Sequence, residues 1–137
     1  MAALCSLSEH CESEVREKLQ RIGMSEVDIQ RIIDNLYDEH FLDTARYCLA
    51  FSRDKLRFTH WGRIKIQQAL RMKGLPDKDI REALEALPED EYSNILQSLI
   101  NQKARALDDE DEYIRRGKII RFAAGRGFTM DEILNAL

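Results

Sequence analysis

Residues that punctuate and stiffen a chain are scarce here. Among 137 residues there are six glycines and two prolines, which leaves no room for a collagen-like or loop-dominated architecture. Aromatic residues make up 7% of the chain, with a single tryptophan, and no run of alternating β-branched residues bounded by turns occurs, which excludes a sheet-based fold. No apolar run approaches the roughly 20 residues that a bilayer-spanning helix needs. The Ala2-Ala3-Leu4 patch is too short for a secretory core, so a cytoplasmic protein without a membrane partner is expected. Cys5, Cys11 and Cys48 form no C-x-x-C pair, as befits free thiols in a reducing compartment. A nucleophile with its base, a paired-carboxylate pocket and a phosphate-binding glycine loop are all missing, and His10, His40 and His60 do not fall at metal-ligand spacings. The expectation is a protein that is not an enzyme and uses neither cofactor nor metal.

What the chain does contain is Ala, Leu, Glu, Lys, Arg and Gln in helical periodicity, which makes the fold class all-α. Residues 1–7 can start a short helix. Val15, Leu19 and Ile22 follow at helical spacing up to Gly23, and Ser25 caps a helix that carries Ile29, Ile32, Ile33 and Leu36. Asp43 caps the next helix, whose buried side is read as Ala45, Cys48, Leu49 and Leu56. After the aromatic hinge Phe58-Thr59-His60-Trp61-Gly62, a helix buries Ile66, Ala69 and Leu70, turns Arg63 and Arg71 outward, and stops at Gly74. Ile80, Ala83, Leu84 and Leu87 mark another helix that ends at Pro88. A long helix then holds Tyr92, Ile95, Leu96, Leu99 and Ile100, and beyond the acidic patch 108–112 come Ile119, Phe122, Ala123, the turn at Gly127 and a final helix from Thr129.

Three turns superimpose: Gly23-Met24-Ser25, Gly74-Leu75-Pro76 and Gly127-Phe128-Thr129. Six residues after each glycine stands an isoleucine (Ile29, Ile80, Ile133), and eight residues before stand Val15, Ile66 and Ile119. A period near fifty residues implies a tandem array of three three-helix repeats, elongated and curved, with units at 1–40, 41–87 and 88–137.

Charge is segregated along this array. The chain is acidic overall, at −4, yet residues 46–73 hold eight Lys/Arg against one acid, a net of +7, while residues 74–112 hold four Lys/Arg against twelve acids, a net of −8. The basic stretch is a candidate contact surface for something negative. Trp61, beside Gly62, reads as a packing residue or an interface anchor, and Tyr47 likewise. Cys48 reads as a small buried residue.

The same stretch carries a family resemblance. Leu42-Asp43, Arg46-Tyr47, Phe51, the basic run that ends in Trp61-Gly62-Arg63-Ile64-Lys65-Ile66, and Leu70-Arg71-Met72-Lys73-Gly74 strongly resemble the RecX family of regulators of the RecA recombinase. The resemblance implies tandem three-helix repeats and a monomeric, non-catalytic partner of the RecA filament on single-stranded DNA that mostly inhibits its recombinase, ATPase and co-protease activities. Carried over position by position, it marks Arg46, Tyr47, Arg53, Lys55, Arg57, Trp61, Arg63 and Lys65 as partner-binding, with Gly62 setting the backbone between two helices. Two features depart from the family pattern: the overall acidity, which weakens direct nucleic-acid contact, and a short amino-terminal part. The residues alone leave two further readings, a helix-turn-helix DNA binder and a protein-docking three-helix module of the ubiquitin-associated kind. The mixed or acidic helices after Gly23 and Gly74 count against the first, and the basic middle pair has no role in the second.

Overall fold

The computed structural model describes residues 9–108 and 111–137. The short helix expected over 1–7, like Cys5, lies outside them. The described residues form eight α-helices and no strand: α1 Glu12–Arg21, α2 Glu26–Asp38, α3 Thr44–Asp54, α4 Arg63–Met72, α5 Asp77–Glu85, α6 Glu89–Ala106, α7 Glu112–Gly125 and α8 Met130–Ala136. A single π turn, Lys55–Thr59, extends α3.

Local chemistry sets the helix ends. The Ser25 hydroxyl accepts the Asp28 N–H (3.3 Å), the Asp43 carboxylate accepts the Arg46 N–H (2.9 Å) and the Thr129 hydroxyl accepts the Glu132 N–H (3.1 Å), each satisfying an amide that has no partner inside its own helix. Gly23, Gly74 and Gly127 all take positive φ, at 83°, 79° and 100°. Two more helices end on a left-handed residue that is not glycine: His40 (φ 61°) closes α2 and His60 (φ 58°) closes the π turn. Both histidines therefore serve as helix terminators, in a conformation that histidine tolerates better than most residues.

The six repeat positions all face inward: Ile29, Ile80, Ile133, Val15, Ile66 and Ile119 are buried. Their cores number two among the described residues. Val15, Leu19, Ile29, Ile33, Leu36 and Leu42 form a small one between α1 and α2. A larger, continuous one runs from Cys48 and Leu56 through Ile66, Leu70, Ile80, Tyr92, Leu96 and Ile119 to Phe128 and Ile133, so α3–α5 and α6–α8 share their interior. Cys11, at the start of α1, belongs to the larger core.

Two expectations need correction. The buried face of α3 is Tyr47, Cys48 and Ser52, continuing to Leu56, whereas Ala45 is exposed and Leu49 half-buried. Turning α3 by one position buries the large Tyr47 ring at the expense of a methyl group, which removes more apolar surface from water. Arg63, expected to point outward, is three-quarters buried, with its side chain 25% exposed, because acids and an aromatic ring from α6 and α8 close over it.

Candidate functional site

The residues picked out between 46 and 65 divide by what they touch. Arg46 braces the first helix pair against α3. Its Nε donates to Glu9 Oε1 (2.8 Å), and its Nη2 donates to the carbonyls of His40 (2.9 Å) and Phe41 (3.3 Å), the last residues of the turn after α2. Tyr47 is buried beneath it and stacked on Phe51, with ring centroids 5.9 Å apart. Burial first, then the neighbouring Cys11 and Glu14, drives its phenol pKa far upward, so it stays neutral. In the same seam burial alone would raise the Glu14 carboxyl, but donation from the Cys11 N–H and thiol and the Lys73 ammonium 3.9 Å away hold it below its ordinary value.

Arg57, on the π turn, lies fork to fork on Glu91 of α6, with Nε–Oε1 at 2.6 Å and Nη2–Oε2 at 3.1 Å. That hydrogen bonding raises the Arg57 pKa and lowers that of Glu91. Arg63 is committed more deeply. Its guanidinium stands 4.0 Å over the Tyr92 ring and donates to Glu89 (2.9 Å), Glu132 (3.2 Å) and the Leu84 carbonyl (3.2 Å). Its backbone N–H donates to the Tyr92 hydroxyl (3.0 Å), which donates in turn to Glu132 (3.2 Å), the carboxylate that also receives the Thr129 N–H (2.8 Å) at the start of α8.

Gly62 stands where the hinge meets the turn before α8. Its N–H donates to the Arg126 carbonyl (2.7 Å), and the Ile64 N–H donates to the Gly127 carbonyl (3.0 Å). A Cβ at position 62 would fall 2.5 Å from the Gly127 carbonyl carbon, and one at position 127 would fall 2.5 Å from Lys65 Cβ. Neither position has room for a side chain, so the two turns join main chain to main chain.

Three of the expected cations remain. Arg53 is exposed on α3. Lys55 Nζ sits 4.7 Å from the Trp61 ring and 5.4 Å from that of Phe51, and Lys65 Nζ sits 5.0 Å from Trp61. Among the described residues, none of Arg53, Lys55 and Lys65 has a carboxylate within ion-pair distance. Trp61 is therefore a half-buried ring with two ammonium groups beside it, neither held by a carboxylate in an ion pair among the described residues and both able to meet a carboxylate or phosphate. Phe58 extends from the adjoining π turn, 78% exposed.

Sequence reasoning names Phe51 and Phe58 without assigning them to the contact surface. Phe51 shares Lys55 with Trp61, Phe58 stands exposed nearby on the π turn, and Arg126 ties the hinge to the last unit by donating to the Thr59 carbonyl (2.9 Å). A phenylalanine at each end of a charged turn was a legible signal for the first two. Arg126 gave none, because its acceptor is 67 residues away. No group of three His, Cys, Asp or Glu side chains suited to a metal occurs among the described residues, and no helix among them is long and apolar enough to cross a membrane.

Comparison with known proteins bears on this architecture directly. The family model described as "RecX, second three-helix domain" matches residues 43–84, and "RecX, third three-helix domain" matches 89–137. The "Regulatory protein RecX" of Prosthecochloris aestuarii is 32% identical over 137 residues, covering 93% of this chain and 87% of the relative. The chain belongs to the RecX family. The family's regulatory protein from Vibrio campbellii is 29% identical, over 98% of this chain and 84% of its own length. Against the 32% identical RecX relative from Clostridium botulinum (strain Eklund 17B / Type B), this chain spans 58% of the relative's length. The fold is shared with the crystal structure of RecX from Lactobacillus salivarius, at a TM-score of 0.87 and 22% identity, over 98% of this chain and 87% of that one. These relatives bear the name of regulatory proteins.

Proposed function

We propose that this chain binds the RecA filament on single-stranded DNA and modulates it, mostly by inhibiting its recombinase, ATPase and co-protease activities, and so acts in DNA repair and the SOS response as a cytoplasmic monomer. Family membership supports the partner. The observation that carries the surface is the pair Lys55 and Lys65 at the Trp61 ring, with Arg53 exposed two residues before Lys55, none of the three having a carboxylate within ion-pair distance among the described residues.

In this reading the action is stoichiometric, with no bond made or broken. The three helical units, 1–40, 41–87 and 88–137, lie across neighbouring subunits of the filament, and the middle one presents its cations to acidic side chains or phosphates of the nucleoprotein. The buried Tyr47 supports that surface, Arg46 ties it to the first unit, and Gly62 and Arg63 tie it to the last. Arg57, already paired with Glu91, forms its edge. Direct nucleic-acid affinity is weak in the absence of RecA, because the chain as a whole carries −4.

The test is charge reversal of Arg53, Lys55 and Lys65 together, read by filament binding and by RecA ATP turnover on single-stranded DNA. All three side chains lie off the core, so helicity and thermal midpoint should hold while binding weakens by about tenfold or more, an amount that several lost charge contacts account for. Unchanged binding and unchanged inhibition would overturn the assignment of this face.

A further inference from the structure

Behind the hinge, between the π turn and α6, lies an open cleft of about 540 Å³. Its wall along α6 is built from residues 94, 95, 98, 99 and 102. Ile95 and Leu99 form an apolar floor, the first half-buried and the second buried. Asn94, Ser98 and Gln102 stand above it, exposed, as three rungs four residues apart. None of the three rung side chains has a hydrogen-bond partner among the described residues, whereas Gln97 and Asn101, on the neighbouring ridge, are bonded to each other at 3.1 Å. His60 also lines the rim, and Arg57, the one Lys or Arg among the lining residues, is matched by Glu91 in its fork. Residues 93–102 contain no Lys, Arg, Asp or Glu, although charged residues make up 34% of the chain.

The geometry points to a binding cleft for an extended, uncharged polypeptide segment, recognised through its backbone and anchored by one aliphatic side chain. Rungs four residues apart on an α-helix repeat every ~6 Å along its axis. An extended chain presents equivalent peptide groups every second residue, at about 6.6–6.8 Å. Over three rungs the two repeats drift apart by about 1.2–1.6 Å, which the rotatable side chains of Asn94 and Gln102 can take up. Asn and Gln each offer an acceptor and two donors, and Ser offers both kinds, so each rung can meet a peptide N–H and C=O together. Between rungs the bound segment turns a side chain down, and there Ile95 and Leu99 offer it apolar contact. The electrostatics argue against a nucleic acid in this cleft. Phosphate binding draws on unneutralised cations, and the one Lys or Arg among the lining residues, Arg57, is already paired with Glu91. A charged peptide would likewise lose hydration without gaining a counter-charge.

The experiment uses the full chain, with isotopic labels on side-chain amides and on Ile and Leu methyl groups, titrated with the blocked peptide acetyl-Thr-Gln-Thr-Leu-Thr-Gln-Thr-amide. Saturable shifts confined to Asn94, Gln102, Ile95 and Leu99 are expected, with a dissociation constant on the order of 0.1 mM, since a short flexible probe spends much of its interaction energy on ordering. The double variant Asn94→Ala/Gln102→Ala should weaken binding by about tenfold, equivalent to loss of one or two hydrogen bonds. Ser98→Arg, which fills the cleft from its exposed rim, should abolish it. The same peptide N-methylated at alternate amides, which keeps every side chain and removes backbone donors, should not bind. No saturation up to about 5 mM, a limit at which specific recognition is negligible, would overturn the inference. So would equal binding of the N-methylated peptide, an unchanged constant in the double variant, or shifts centred elsewhere. The variants leave Arg53, Lys55 and Lys65 intact, so failure here is separable from failure of the filament-binding surface.

Discussion

Arg63 and Arg53 are ten positions apart in the same basic stretch, and nothing in their immediate neighbourhoods distinguishes them. Their environments differ because the partners of Arg63 are distant in the chain: Leu84, Glu89, Tyr92 and Glu132 lie 21, 26, 29 and 69 residues beyond it. Periodicity places a residue on or off the apolar stripe, but it does not say which off-stripe arginine a later helix will cover. The basic face was thus legible as a set, and its division into structural and free members was not. The stability consequence is testable. Arg63→Ala takes the guanidinium from Glu132, from the Leu84 carbonyl and from the face of the Tyr92 ring, and should cost about 2–4 kcal/mol in urea unfolding. Arg53→Ala should fall within about 0.5 kcal/mol of the parent. Equal effects at both positions would contradict the arrangement described for Arg63.

At the scale of elements, helix boundaries were the most readable feature. Ser25, Asp43 and Thr129 each cap the helix expected of them, and the three repeat glycines each take the left-handed conformation that a helix end favours. The ends at His40 and His60 escaped notice because histidine is a weak signal for positive φ, and the π turn has no compositional signature at all. His40 gives a clean test: it is exposed, and a glycine there adopts φ near 61° without a Cβ penalty. His40→Gly should raise the unfolding free energy by about 0.5–1 kcal/mol, the usual gain when glycine replaces another residue in a left-handed position. A loss of stability in denaturant titration would mean that the His40 side chain does something the fold does not reveal.

Over the whole molecule, the threefold repeat in sequence coexists with a twofold division of the interior. The repeat was visible because each unit keeps its own glycine and isoleucine. The merging of the last two interiors was not, since the contacts that carry it, such as Arg63 over the Tyr92 ring at 4.0 Å, join residues far apart in the chain. The small core holds six buried side chains among the described residues, and it meets the rest mainly through Cys11, Arg46 and Glu14. Native-state hydrogen exchange should therefore show α1 and α2 opening at a free energy at least ~1 kcal/mol below that of α4, α6 and α8, which should open together. Identical opening energies throughout would indicate one cooperative unit. The meeting of Gly62 with Gly127 has a further bearing on how such a surface changes over generations. Main-chain bonds, the half-buried Arg63 and a shared core set the angle between the middle and last bundles, so exposed positions around Trp61 can change in charge and shape while the scaffold that aims them holds its pitch.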